Sequence, residues 1–373
     1  MSLTRRALLA ALAADKRPKV ACILNAYFPN SHADVFMSRL LEGYRLNGVS
    51  HRPRVQTVSF YVDQFPANDM AREQAEEYGV RIYKSVKAAL CQGGEKLAVD
   101  GVAVIGEHGD YPRTPRGNFM YPRKKRFDEV TQVFQQNGRV VPLMNDKYFA
   151  YDWADAKAIY DRVKKDNIPF FCGSSLPLTW RRPVLEFKSG IELDEVLAVS
   201  FSDLEEHGYH AIELMQAMAE KRKGGETGVA EIRCVEGEQI WQDKFWSRDL
   251  LDAALTHKIN HVPSNNTPPQ AIFVKYRDGL KASILNLNAQ SRDYLFAARE
   301  TSGKVHASCF YIQLHVHNHW GFMARHFEDL VLTKKSPYPP ERTLLSNGIM
   351  LSALDSRLDA QNWLATAHLD IKY

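Results

Sequence analysis

Through the first half of the chain, short unbroken apolar runs alternate with amphipathic stretches. Residues 19–24, bounded by Pro18 and Asn25, are apolar after Lys19 and predict a strand buried on both faces. A helical pattern of Val35, Met37, Leu40, Leu41 and Tyr44 follows, with Ser31 placed to cap it. Further strands are predicted at 55–63, 80–83, 102–105, 140–144 and 169–172. Helices are predicted at 69–78, 85–90 and 153–165, with another beginning near Arg123. Strands alternating with helices build parallel βαβ units, so residues 18–183 are expected to form a Rossmann-like, doubly wound α/β domain. From Val184 the pattern changes to long runs at 193–201, 228–235, 270–276, 281–287 and 305–319. One strong helix at 210–221 interrupts them, and helices at 321–332 and 340–352 close the chain. Strands in succession predict an α+β domain over 184–373, built on a largely antiparallel sheet open on one face.

An open parallel sheet gathers its chemistry beyond the carboxyl ends of its strands. The run 102–105 breaks at Gly106 into Glu107-His108-Gly109-Asp110, and the run 140–144 leads into Asn145-Asp146-Lys147. Glu107, His108, Asp110, Asp146 and Lys147 are therefore expected at one edge, with His32 beside them at the start of the first helix. Glu107 and His108 are candidates for an acid–base pair or for metal ligands; the alternative is a turn whose polar groups satisfy its own backbone. His315, His317 and His319 alternate along the run 305–319, so their imidazoles are expected on one strand face, about 6–7 Å apart between neighbours. A polar sheet face is the favoured reading there, with a zinc-type site as the weaker one.

Composition removes several classes. A net charge of +4 spread over 373 residues gives no basis for a nucleic-acid partner. The densest basic run, Arg123-Lys124-Lys125-Arg126, is read as a solvated helix start, with an anionic-ligand contact as the alternative. Cys22, Cys91, Cys172, Cys234 and Cys309 are scattered without any C-x-x-C spacing, so neither a disulfide framework nor a zinc ribbon is expected. No run approaches the roughly 18 apolar residues that span a bilayer. Thr4-Arg5-Arg6 followed by the Ala- and Leu-rich stretch from Ala7 to Ala14 is similar to a shortened twin-arginine export signal. Residues 1–17 are placed outside the fold, and a cytoplasmic location is expected, with export as the alternative.

Several segments together resemble the glucose–fructose oxidoreductase / inositol dehydrogenase (Gfo/Idh/MocA) family. Residues 80–90 leading to Val99-Asp100-Gly101-Val102 are similar to its third strand, short helix and fourth strand. Val140 to Lys147 resembles the strand that ends in its Glu-Lys-Pro motif, here Asp146-Lys147-Tyr148. Gly208-Tyr209-His210-Ala211-Ile212-Glu213 resembles its helix start G-x-H-x-x-D. The resemblance covers most of the chain from Lys19 to about Leu354. It implies that Lys147 binds the reacting sugar hydroxyl and the nicotinamide ribose, and that His210 is the acid–base histidine, with Glu206 four residues earlier. It also implies NAD or NADP, for which Asn25, Ser31, His32 and Asp63 are the candidate contacts, a homodimer or homotetramer, and an interdomain link at Trp180-Arg181-Arg182-Pro183 from which Arg181 or Arg182 could contact substrate. Asp110, at the strand edge, is a further candidate substrate contact. The family's G-x-G-x-x-G fingerprint is replaced by Asn25-Ala26-Tyr27-Phe28-Pro29-Asn30, with no glycine before Gly43. Those glycines let a backbone approach a pyrophosphate, so Tyr27, Phe28 and Pro29 are expected to obstruct a nucleotide held in the usual way.

The expected function is an oxidoreductase-like enzyme on a small carbohydrate ligand, a sugar or polyol, with Lys147 and His210 as its acid–base pair. Two alternatives stand beside it: a non-redox lyase, hydratase or isomerase using Glu107, His108 and His210, with or without a metal, and a carbohydrate-binding protein without chemistry.

Overall fold

The computed structural model describes residues 16–260, 268–313 and 316–373. His315 and almost all of the segment read as an export signal lie outside them. The first half runs β1 (Lys19–Ala26), α1 (His32–Leu41), a hairpin of β2 (Tyr44–Leu46) and β3 (Val49–His51), β4 (Gln56–Gln64), α2 (Ala71–Glu77), β5 (Arg81–Tyr83) and α3 (Val86–Leu90). It continues with β6 (Gly101–Ile105), α4 (Arg123–Asn137), β7 (Leu143–Asp146), α5 (Trp153–Lys165) and β8 (Phe170–Gly173). Six of these strands form one sheet in the order β5-β4-β1-β6-β7-β8, every pair parallel. This is the doubly wound sheet that the alternating pattern predicts.

β1 is buried from Val20 to Ala26, because helices cover both faces of the sheet. Val20, Cys22 and Leu24 point toward α1, and Ala21 and Ile23 toward the side carrying α3, α4 and α5. The helical spacing that reaches Tyr44 stops at Leu41 instead. Gly43 adopts φ 102, where a side chain would meet the His51 carbonyl, and Tyr44 starts the hairpin.

The second sheet has eight strands in the order β16-β11-β12-β13-β10-β14-β15-β9. They are β9 (Trp180–Arg182), β10 (Leu193–Ser200), β11 (Val229–Glu236), β12 (Gln270–Tyr276), β13 (Lys281–Asn286), β14 (Tyr294–Glu300), β15 (Val305–Tyr311) and β16 (Leu364–Ala365). All neighbours are antiparallel except β10 and β13. α6 (Tyr209–Ala219) and α9 (Pro340–Leu358) pack on one face, and α7 (Arg248–Leu255) lies on part of the other with Ile240 and Trp246. α8 (Trp320–Thr333) leaves this sheet and packs through Trp320, Met323, Phe327 and Leu330 beside α1 on the first sheet. None of the described helices is long and apolar enough to cross a membrane. The five cysteines are buried free thiols.

The long run 305–319 is not one strand. β15 ends at Tyr311, which is paired with Trp180, the first residue of β9, while on its other side Phe310 is paired with Tyr294, the first residue of β14. With both neighbours exhausted the ladder has no partner, and the chain turns through His317 (φ 48) into α8. His317 and His319 therefore do not alternate on a strand face.

Candidate active site at the carboxyl edge of the parallel sheet

The register of the parallel strands sets the site. Ile105 follows the β6 residue paired with Asn145, so the segment after β6 and the end of β7 emerge side by side, and Lys147 bridges to Gly173 of β8. Gly106 lies against the Arg123 side chain, and the chain then turns at His108, which takes φ 65. Glu107 and Lys147 are both almost completely buried, with Lys147 Nζ 3.0 Å from Glu107 Oε2. Arg123 closes the other side of that carboxylate and also donates to the Asp146 carbonyl. Burial raises the Glu107 carboxyl, but Lys147 and then Arg123 outweigh it and hold it below the usual carboxylate range.

Arg123 corrects the expectation of a solvated basic run. Arg123 and Arg126 sit three apart on the inward face of α4 and are buried, whereas Lys124 pairs with Asp128 at the surface. The guanidinium of Arg123 lies 4.4 Å above the Tyr148 ring, and the Tyr148 hydroxyl donates to Glu205 (2.6 Å).

The histidines gather around this pair. His32 Nδ1 is 2.7 Å from Asp146 Oδ2. The His32 ring centroid lies 5.2 Å from that of His108, 6.2 Å from His210 and 4.8 Å from Trp320. His210 comes from the second sheet's α6, and its Nδ1 is 2.6 Å from Ser174 Oγ in the loop after β8. A π-helical turn, Leu204–Gly208, precedes α6, capped by Asp203, and carries Glu205, Glu206 and His207. Such turns often occur at functional sites. His207 Nδ1 bonds to the Tyr294 hydroxyl at 2.6 Å.

Burial decides the protonation of most of this group. It pushes His108 and His207 down to about 4 and His210 well below the ordinary imidazole range, with Lys147 or His32 adding to the effect. The same burial pushes Glu205 up to about 7 and raises Glu206. The site therefore presents mostly neutral imidazoles beside one buried ammonium.

Glu107, His108, Lys147, His210 and His32 are thus brought together, with Glu206 on the adjoining turn. The other candidates lie elsewhere or are engaged. Asp110 is exposed, its backbone bonded to Gln64. Arg181 is held by Glu186 and the Pro177 carbonyl. Asp63 accepts from Tyr61 (2.7 Å) and Tyr111 (2.6 Å) and pairs with Arg126 (2.5 Å). Ser31 is the N-cap of α1, and Asn25 is buried at the end of β1 with its amide nitrogen unbonded. His319 is buried ahead of α8, with its ring 6.0 Å from that of His317. Among the described residues no group of three His, Cys, Asp or Glu side chains is arranged to hold a metal. Arg123, Asp146 as a partner of His32, Ser174, Tyr148 and Glu205 complete the cluster; a carboxyl edge signals Asp146, but nothing local signals the rest.

A six-stranded parallel sheet followed by a mixed, mostly antiparallel eight-stranded sheet is the fold of solved inositol dehydrogenases and related oxidoreductases of the Gfo/Idh/MocA type. An apo scyllo-inositol dehydrogenase from Lactobacillus casei is similar over 94% of this chain and 99% of its own, with a TM-score of 0.59 and 8% identity. A myo-inositol dehydrogenase from Corynebacterium glutamicum is similar over 94% and 98%, with a TM-score of 0.57 and 10% identity. GenD2 from gentamicin A biosynthesis, in complex with NAD, is similar over 94% and 97%, with a TM-score of 0.58 and 12% identity. No family model matches the sequence, and no curated protein matches it. The likeness is one of fold.

The residues present do not fit a nicotinamide dinucleotide held in the usual cradle. The amino end of α1 is closed by its own side chains: Ser31 Oγ accepts from Phe28 and Asp34 backbone nitrogens, and Asp34 accepts from Asn30. Asp34 places a negative charge where the helix dipole would otherwise attract a pyrophosphate. The Phe28 ring packs against His108 at 5.4 Å in the glycine-free loop. Asp63, where an acid would receive the ribose hydroxyls, already has three partners.

Proposed function

We propose that the protein is an enzyme that acts on a small sugar- or polyol-derived substrate by proton transfer at the carboxyl edge of the parallel sheet. The observation that carries this reading is a contrast within one edge. Ser31, Asp34 and Asp63, where a dinucleotide would be gripped, are satisfied by the chain itself, while His32 and His210, tied through Nδ1 to Asp146 and Ser174, and Lys147, held by Glu107, converge with His108 on one space. A neutral imidazole suits removal of a proton from a carbon next to a carbonyl. The C–H electron pair then becomes an enolate, whose oxygen is stabilised by the Lys147 ammonium. Return of the proton to the same carbon gives epimerisation. Its delivery to the neighbouring carbonyl carbon, with the adjacent hydroxyl proton passing to the enolate oxygen, gives isomerisation. Its delivery to a β-hydroxyl, whose C–O bond breaks as the enolate collapses, gives dehydration with loss of water. Glu107 and Arg123 keep the lysine in place.

The test pairs two measurements on the full chain. NADH and NADPH are titrated against tryptophan fluorescence, and aldoses, ketoses and keto-inositols are incubated with the protein in deuterium oxide. The expected result is no saturable quenching up to high micromolar nucleotide, and deuterium entering at a carbon beside a carbonyl in a reaction that H210Q and K147Q abolish. Saturable nucleotide binding with substrate oxidation would overturn it. That outcome belongs to a second reading, a nicotinamide-dependent sugar oxidoreductase, which the likeness to GenD2 with NAD favours.

A further inference from the structure

We infer that His32 and Asp146 form an oriented acid–base dyad, a second proton-transfer group that faces His210 across the same space. The inference rests on the reading above for its chemistry, but on its own geometry for its existence. His32 is the first residue of α1 and Asp146 the last of β7, so the dyad is built where a parallel sheet brings a helix start over a strand end. The Asp146 side chain is 1% exposed and that of His32 15%, so the carboxylate is sealed and the imidazole reaches solvent. An ionised carboxylate can only accept, so the proton on the 2.7 Å contact belongs to His32 Nδ1. That leaves the lone pair on Nε2, as in other Asp–His pairs where the acid sets the tautomer of the base. Nε2 makes no hydrogen bond among the described residues. Asp146 is further fixed by Arg123, which donates to its carbonyl, while its Oδ1 is sealed from solvent and has no other partner.

His210 mirrors this arrangement. Its Nδ1 is tied to Ser174, which also accepts from the Leu176 backbone, and the two rings stand 6.2 Å apart between centroids, a gap that one bridging hydroxyl can span. The environments differ: a carboxylate stands behind His32 and a hydroxyl behind His210, which separates a base from a hydrogen-bond donor. The charged and titratable groups facing His32 are Asp146, Glu107, His108, His207, His210 and His319, the last across Trp320.

Two measurements on the 15N-histidine-labelled full chain test this, and neither needs substrate or nucleotide. Two-bond proton–nitrogen correlation spectra, with H32Q for assignment, are expected to show neutral His32 as the Nδ1–H tautomer, reverting in D146A to the Nε2–H form. Diethylpyrocarbonate at neutral pH, followed by peptide mapping, is expected to modify His32 ahead of His108, His207 and His319, and several-fold more slowly in D146A. An Nε2–H tautomer in the wild-type protein, or a His32 that resists the reagent in the folded protein and reacts once unfolded, would overturn the dyad. Both wild-type readouts stand if D146A does not fold. Nucleotide binding in the fluorescence titration would overturn the proton-transfer reading while leaving these results intact.

Discussion

Glu107 is shared between two buried cations, and that sharing makes its removal unlike the removal of either partner. In E107Q, Lys147 and Arg123 face a neutral amide in a sealed site, and stranding buried charge costs roughly 3–5 kcal/mol. K147Q leaves Arg123 still paired with Glu107, so its cost is smaller. Urea unfolding of the two variants checks the order; a cost for E107Q no larger than that for K147Q would dismiss the central role of the carboxylate. At this scale the sequence was legible wherever a residue's role depends on its place at a strand end. Glu107, His108, Asp146 and Lys147 all follow apolar runs, and a parallel sheet delivers such residues to one edge. Arg123 was not legible, because a run of four basic residues reads as solvated until a fold shows that its first and fourth members point inward. Nor was Ser174, whose contact with His210 joins the loop after β8 to a helix of the other sheet.

Most elements of the first sheet were legible, down to the short β5 and α3, and the losses were elements whose ends or existence depend on a neighbour. The continuous apolar strands of the first sheet declared themselves, as did α5 and α6. The β2–β3 hairpin vanished into the helical spacing that ends at Tyr44, and β14 and α7 gave too little periodicity to register. β15 was drawn too long because its end is dictated by the lengths of β9 and β14, which its own residues do not encode. α7 matters more than its eight residues suggest. Leu250, Leu251 and Ala254 pack with Trp246 over Leu197, Phe273, Leu285 and Leu295, shielding that face of the second sheet. Leu250 is completely buried, so L250A should cost about 2–5 kcal/mol in a denaturation experiment. A loss below about 0.5 kcal/mol, the level of a surface change, would show α7 to be peripheral to that core.

Across the whole molecule, the histidines concentrate where the two sheets meet. His108 comes from the β6 edge, His207 and His210 from the approach to α6, and His319 from the turn that sends α8 back to the first sheet. Burial pushes His108 and His207 down to about 4, His319 to about 3, and His210 well below its ordinary value; His326 and His368 are lowered too. An unfolded histidine titrates near 6.5. Between about pH 6.5 and 4 the unfolded chain therefore binds protons that the folded chain refuses, and stability falls as pH falls through that window. Glu205 and Glu213, pushed up to about 7 by burial, act in the opposite direction, as do Glu206 and Asp155, which are raised. They bind protons more readily in the folded chain, so they stabilise it as pH drops from about 7 to the ordinary carboxylate range near 4.5. Six depressed imidazoles against four raised carboxyls leave the histidines in control. Below about 4.5 the lowered Glu107 and Asp63 add to the loss, since protonating them dissolves the Lys147, Arg123 and Arg126 pairs. The melting temperature should thus drop by several degrees from pH 6.5 to 4.5 at constant ionic strength and more steeply below. A double variant H207Q/H319Q should flatten the upper part of that curve. A melting temperature that holds steady or rises on acidification to pH 4.5 would mean the imidazoles at the junction are hydrated rather than buried, and the neutral-histidine site would fall with them.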